Sequence, residues 1–239
     1  VICHTERMAR LSRSVQRHFF RKWSPQMAYV LGYFAADGSM VQNSRGAHFI
    51  EFHSTDKTLI TEVRDALMSN HRIGVRVPRN HNPNHKIAYR LQIGSAEMYK
   101  DLLARGMSPR KSLILQMPTI PRKYVGHFVR GYFDGDGCVY FKRLQFADRK
   151  NQRHVLLSVF SCGTLSFLES LLVLLKSRGV KGGSLKKKRS GNELALSRHD
   201  SVALYRIMYN NLEDSDIYLE RKYKLFTHAI ETLYGKMRE

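Results

Sequence analysis

A ten-residue segment occurs twice, and that duplication limits what this chain can fold into more than any other feature. Residues 29–38 read Tyr-Val-Leu-Gly-Tyr-Phe-Ala-Ala-Asp-Gly and residues 128–137 read Phe-Val-Arg-Gly-Tyr-Phe-Asp-Gly-Asp-Gly, 99 positions on. The shared pattern is Val-x-Gly-Tyr-Phe-x-small-Asp-Gly. Such an offset is too long for a solenoid repeat and suits a small domain built twice.

The stretch after each segment repeats as well. In the first copy a Ser44-Arg45-Gly46 turn leads into a strand-like run at 48–53, and residues 56–68 predict a helix with Leu59, Val63 and Leu67 on one side. Strands are predicted at 73–78 and 86–93 around an Asn/Pro turn at 80–84, and a helix at 96–105. In the second copy strands are predicted at 138–146 and 154–161, and a strongly apolar helix at 165–177. A hairpin at 184–189 and 193–197 then turns around Ser190-Gly191-Asn192, with helices at about 200–210 and 218–234. The expected fold class is α+β: two pseudo-twofold-related αββαββα units, each helix–strand–strand–helix–strand–strand–helix. They span 24–106 and 121–239, joined at 107–120 by a connector that Pro109, Pro118 and Pro121 keep extended rather than helical. Residues 1–23 are basic. Arg10, Arg13, Arg17 and Arg21 recur at helical spacing there, as either a basic helical arm or a solvated terminus.

Composition narrows the class of partner. Hydrophobic residues at 43% and charged residues at 25% describe a globular chain and exclude a disordered polymer, a collagen-like repeat or a membrane bundle. Forty Lys and Arg face twenty Asp and Glu, a net charge of +20, which points to a polyanion, most simply nucleic acid. Cys3, Cys138 and Cys162 have no disulfide-framework spacing, so the chain reads as intracellular, whether cytoplasmic, nucleoid or organellar. Apolar runs fall short of the roughly 18–20 residues of a membrane span, and the basic N-terminus has no secretory pattern. A chain opening on Val1 reads as trimmed.

Ser24-Pro25 is a helix start, a side-chain cap followed by proline at the first helical position. From there Ala28, Gly32 and Ala36 form a line of small residues, matched by Gly131 and Gly135 in the second copy. Glycine inside a helix costs about 0.5–1 kcal/mol relative to alanine, and close backbone packing is the usual compensation. Two such faces suggest that the repeated helices pack on each other, which brings Asp37 and Asp136 side by side at the end of the seam. Paired carboxylates repel unless a cation lies between them. Mg²⁺ suits the place, because it takes one or two carboxylates plus phosphate and water, and the negative helix ends add to cation affinity. In so basic a chain, a solitary acidic pair fits metal-assisted phosphodiester hydrolysis.

The two segments resemble the LAGLIDADG signature of homing endonucleases, once in each half, as in the single-chain, two-repeat members. The likeness extends from about residue 24 to 235. It implies a monomeric saddle of antiparallel sheets astride double-stranded DNA that cleaves both strands with Mg²⁺ across the minor groove, leaving short 3′ overhangs at a long target. It further implies two or three divalent ions at a shared central site, with Mn²⁺ able to substitute. By the same resemblance Asp37 and Asp136 are the metal-binding acids, aided by the carbonyls of Ala36 and Gly135. The earlier acidic position of the motif, Ala35 and Asp134 here, holds no metal, which leaves Asp134 a structural or solvated acid. Lys111 and Lys222 resemble the basic residue that stabilises charge or orders water near each acid. Asp56 and Gly163 lie where a polar water-ordering residue often occurs, though Gly163 offers no side chain.

Strand alternation supplies the DNA face. Inward Tyr89, Leu91 and Ile93 leave Arg90 and Gln92 outward; Val75 and Val77 leave Arg72 and Arg76; Ile50 and Phe52 leave Glu51 and His53. In the second half, inward Val139 and Phe141 leave Tyr140 and Lys142, while Leu194 and Leu196 leave Ser197. Lys186 and Lys188 lie in a basic hairpin run. Arg and Gln can read base edges, and lysines hold phosphate. His81 and His85 lack a third ligand, so zinc is not expected; Cys138 reads as a small core residue. Tyr33, Phe34, Tyr132 and Phe133 read as core beneath the seam. Two other readings of the scaffold are an RNA-binding intron maturase and a non-catalytic DNA-binding regulator, in which a lost acid would be expected. An intein-embedded form is disfavoured, because the chain does not end in His-Asn.

Overall fold

The computed structural model describes residues 13–78, 86–145 and 151–235. The first copy runs α1 (Pro25–Asp37), β1 (Gly38–Gln42), β2 (His48–Ser54), α2 (Lys57–Ala66), β3 (Ile73–Arg76), β4 (Ala88–Gly94) and α3 (Ala96–Ala104). The second runs α4 (Val125–Asp136), β5 (Gly137–Leu144), β6 (Arg153–Cys162), α5 (Leu165–Lys176), β7 (Ser184–Lys188) and β8 (Gly191–Leu196). It then closes with two helices instead of one, α6 (Arg198–Tyr209) and α7 (Glu220–Tyr234). Each copy forms a four-stranded antiparallel sheet of the same order, β1-β2-β4-β3 and β5-β6-β8-β7. The α+β expectation and the two-unit repeat are met.

The Ser24 hydroxyl accepts from the Met27 amide at 3.0 Å, with Pro25 in the first turn, so α1 starts where the sequence places its cap. Every α1 residue from Met27 to Ala35 is buried, which makes this the central element rather than a surface helix. Its partner is α4. A methyl added at Gly32 would sit 2.1 Å from the Phe128 carbonyl oxygen, and one added at Gly131 would sit 2.0 Å from that of Tyr29. Phe128 is the repeat counterpart of Tyr29, and Gly131 of Gly32, so the contact is reciprocal and glycine is obligatory on both sides. Beneath the seam the counterpart tyrosines bond alike: Tyr33 donates to the His53 carbonyl at 2.5 Å and Tyr132 to that of Ser161 at 2.9 Å. Phe34 packs on Phe52, and Phe133 on Phe160, edge to face in both copies.

Several expectations need correction. Residues 13–24 form turns rather than a basic helical arm or a solvated terminus. The Phe19 and Arg21 amides close turns onto the carbonyls of Gln16 and His18, and Phe19 and Phe20, stacked edge to face, are both buried in the core. Arg17 and Arg21 pair with Glu97 and Asp101 on α3. Arg10 and the rest of residues 1–12 lie outside the described residues, as do His81, His85 and the 80–84 turn. The connector is not wholly extended, since Lys111–Leu113 forms one 3-10 turn; a second, Arg122–Tyr124, opens the second unit. Val75 and Val77 are exposed at 59% and 65%, because β3 ends at Arg76 and no helix covers that corner of the sheet. Cys138 is exposed, because β5 starts at Gly137 and alternation then turns Val139 inward. Among the described residues no helix is long and apolar enough to cross a membrane.

A candidate metal-dependent active site at the helix seam

Both signature helices stop at the same point for the same reason. Gly38 and Gly137 turn extended, and their amides cap back onto the carbonyls of Phe34 and Phe133. The last residue of each helix, Asp37 and Asp136, is therefore delivered to one end of the seam, half-buried. A methyl at Gly135 would lie 2.4 Å from the Ala36 side chain and 3.3 Å from the Asp37 carboxylate, so the four expected metal-site residues form one contiguous group.

The two lysines singled out in the sequence enter this group from non-equivalent elements. Lys111, on the 3-10 turn of the connector, donates to the carbonyls of Gly38 at 2.7 Å and Ala36 at 3.3 Å. Lys222, in the first turn of α7, donates to those of Gly137 at 2.5 Å, Phe133 at 2.6 Å and Asp134 at 2.9 Å. Each ammonium also lies over the aromatic ring of its own signature helix, Phe34 or Phe133. The lysines thus engage main-chain carbonyls at and just beyond each helix end, and the ammonium charge complements the negative end of each dipole. Both are almost fully buried, at 7% and 4% exposure.

Electrostatics tie the four groups together. Burial raises the Asp37 carboxyl to about 6, the charge of Asp136 pushes it the same way, and Lys222 and Lys111 oppose. Burial also raises Asp136, against the pull of Lys111 and Lys222. Burial lowers Lys222 to about 8 and also lowers Lys111, in each case against nearby acids. Burial is the first cause in all four, so each charge is costly where it stands, and a divalent ion beside the carboxylates would favour their ionised form. Among the described residues no set of three His, Cys, Asp or Glu side chains encloses an ion. Two carboxylates beside main-chain carbonyls are donors of the kind Mg²⁺ takes together with phosphate and water.

Asp134 is not solvated. It is 3% exposed, accepts from Tyr29 of the opposite helix and from the Leu219 amide, both at 2.8 Å, and burial raises its carboxyl to about 6. Asp56 caps α2 by accepting from the Leu59 amide. Gly163 is fixed by packing: a methyl there would lie 2.1 Å from the Ser112 carbonyl oxygen. Sequence reading missed Arg130, which is 1% exposed and clamps the α6–α7 loop to α4. It donates to the carbonyls of Met208 and Ile217 and to Asp216 at 2.6 Å. An arginine inside an otherwise apolar helix run was its only signal.

Residues 24–105 match the family model described as LAGLIDADG-like domain. The second copy lies outside that match but has the same strand order and the reciprocal seam contact. Solved structures similar in fold include the homing endonuclease I-WcaI bound to its DNA recognition sequence. It shares 14% identity over 87% of this chain and 91% of that one, with a TM-score of 0.58. The LAGLIDADG meganuclease I-AabMI bound to uncleaved DNA matches at 13% identity over 88% and 90%, with a TM-score of 0.57. The I-LtrWI LAGLIDADG homing endonuclease bound to target DNA matches at 12% over 89% and 91%, with a TM-score of 0.55. No curated protein matches the sequence.

The free sheet faces carry most of the residues assigned to DNA. Arg76 on β3, Arg90 and Gln92 on β4, and Glu51 and His53 on β2 share one face by register. Arg72 lies just before β3. Tyr140 and Lys142 share the face of β5, ring against ammonium at 5.5 Å, and Lys186 and Lys188 lie on β7. Glu51 is not free for a ligand. It is 8% exposed and accepts from Gln92 at 2.6 Å and lies 3.2 Å from His53 Nε2, so it orders its neighbours. Ser197 is off the strand altogether, because β8 ends at Leu196 and Ser197 is the cap residue of α6.

Proposed function

We propose that this protein is a site-specific DNA endonuclease that makes metal-dependent double-strand breaks at a long target, acting as a monomer. The observation that carries the reading is the delivery of Asp37 and Asp136, each flanked by a buried lysine, to one end of a glycine-packed seam. The DNA-bound relatives of the same fold support it, as does the net charge of +20.

In this reading Asp37 and Asp136, with the carbonyls of Ala36 and Gly135, hold Mg²⁺ or Mn²⁺, two or three ions in all. Bound there, the metal activates water and stabilises the leaving oxygen. The chain's own residues do the rest. Lys111 and Lys222 are anchored through main-chain oxygens and add positive charge where phosphate charge develops. Arg72, Arg76, Arg90, Gln92, His53, Tyr140, Lys142, Lys186 and Lys188 present base-reading and phosphate-holding groups along the sheets. A maturase or a regulator on this scaffold is disfavoured, since both acids and both lysines are intact.

Asp37→Asn or Asp136→Asn is expected to lower Mg²⁺-dependent plasmid cleavage by about a thousandfold or more while leaving the melting transition cooperative. Wild-type rates in both variants would refute the mechanism.

A further inference from the structure

The lysines reach equivalent places by different routes. Lys111 is fixed by the opposite copy: the Leu115 amide donates to the Thr164 hydroxyl at 3.2 Å, that hydroxyl donates to the Ser112 carbonyl at 3.3 Å, and Gly163 lets the two backbones touch. The counterpart of Asp134 in α1 is Ala35, so this route uses no acid.

Lys222 has no such clasp. Its element, α7, begins at Glu220 with Leu219 as its cap residue, and no side chain caps the first turn. The Leu219 amide is instead held by Asp134 Oδ2 at 2.8 Å, and the Leu219 carbonyl accepts from the Lys222 amide at 2.9 Å. Tyr29 of the opposite copy donates to the same Oδ2 at 2.8 Å. The carbonyl of Asp134 in turn accepts from the Lys222 ammonium. One residue therefore grips the start of α7 through its side chain and the far end of Lys222 through its main chain. Its Oδ1 is buried with no partner, which costs stability. Packing alone does not require that cost, since alanine fills the equivalent place in α1.

We propose that Asp134 is a positioning residue that sets Lys222 through the first turn of α7, so that the two strands are cut by centres with different supports. The proposal rests on the endonuclease reading. A duplex carrying the selected target, end-labelled on each strand in turn, tests it by strand-resolved cleavage. Asp134→Ala is expected to slow one strand by about ten- to a hundredfold, the scale of a small misplacement, while the other strand is cut at the wild-type rate and nicked duplex accumulates. Asp134→Asn keeps an oxygen for both donors and is expected to restore balanced cleavage, which a general loss of stability would not explain. Should the alanine variant not fold, Asp134→Ser gives the same readout with a smaller void. Equal slowing of both strands, or an asparagine variant as lopsided as the alanine one, overturns the proposal. A wild-type protein that cuts neither strand overturns the endonuclease reading first, and this inference with it.

Discussion

The two copies share a frame and differ on the face that frame leaves open. Phe52 pairs with Gly38, and Phe160 with Gly137, so register makes Glu51 the counterpart of Val159, Gln92 of Ala195, His53 of Ser161 and Arg90 of Glu193. In the first copy a buried carboxylate holds Gln92, His53 and Arg90 in one polar cluster. In the second, apolar Val159 and Ala195 occupy those positions, and Glu193 pairs with Lys188 at 3.2 Å. The copies share the parts that folding needs: the seam glycines, the tyrosine-to-carbonyl bonds and the edge-to-face phenylalanines. Where the sheets meet only solvent or a ligand, the copies diverged, and a DNA target read by both faces would have two unlike halves.

The largest effect should fall where the copies are alike. Gly32→Ala and Gly131→Ala each force a methyl into a facing carbonyl and are expected to cost about 3 kcal/mol, equally, in denaturant melts; an undisturbed variant would break the reciprocity. Next comes Gly163→Ala, which has no twin. It should cost about 1–3 kcal/mol and, by moving Lys111, slow the strand that Asp134→Ala spares; slowing of the same strand would contradict the two routes. On the free faces, Arg90→Ala should lose about 1–3 kcal/mol of binding at one target position, whereas Lys142→Ala should weaken binding evenly and lower the salt slope by about one. Binding titrations on single-base target variants at several salt concentrations separate the two. A further effect is electrostatic. Because the folded state holds the Asp37 proton up to about 6, the metal-free wild type should lose stability relative to Asp37→Asn as pH rises from about 4 to 6. The unfolded chain has by then released a proton that the folded chain retains. Melts in chelator across that range check the sign; a gain over the same window would contradict it.

Much of this was legible in the sequence because it is written in short spacings. Ser24-Pro25, the four-residue period of small residues and the Asp-Gly endings place both helices and both acids, and alternation places Arg90, Gln92 and Tyr140 on the free faces. The illegible parts depend on contacts between distant residues or on small shifts of an element's end. Gly163 looks like a missing polar residue until Ser112 is seen against it. Asp134 looks optional until Tyr29 and Leu219, 105 and 85 residues away in sequence, are found on one oxygen. Ser197, Val75 and Cys138 differ from expectation because each lies within one residue of a strand's terminus, where one residue decides between sheet, cap and corner. The arginine spacing of the N-terminal segment imitates a helix, but the paired phenylalanines decide its structure.

The most direct test of the shared site is selection of cleaved molecules from a random double-stranded DNA library. Wild-type protein with Mg²⁺ should recover one long sequence with unlike halves, cut on both strands, and the Asp37→Asn/Asp136→Asn double variant should recover nothing. Enrichment of the same cleaved sequence by the double variant, or no enrichment by the wild type, would contradict the claim that these two acids meet to cut DNA.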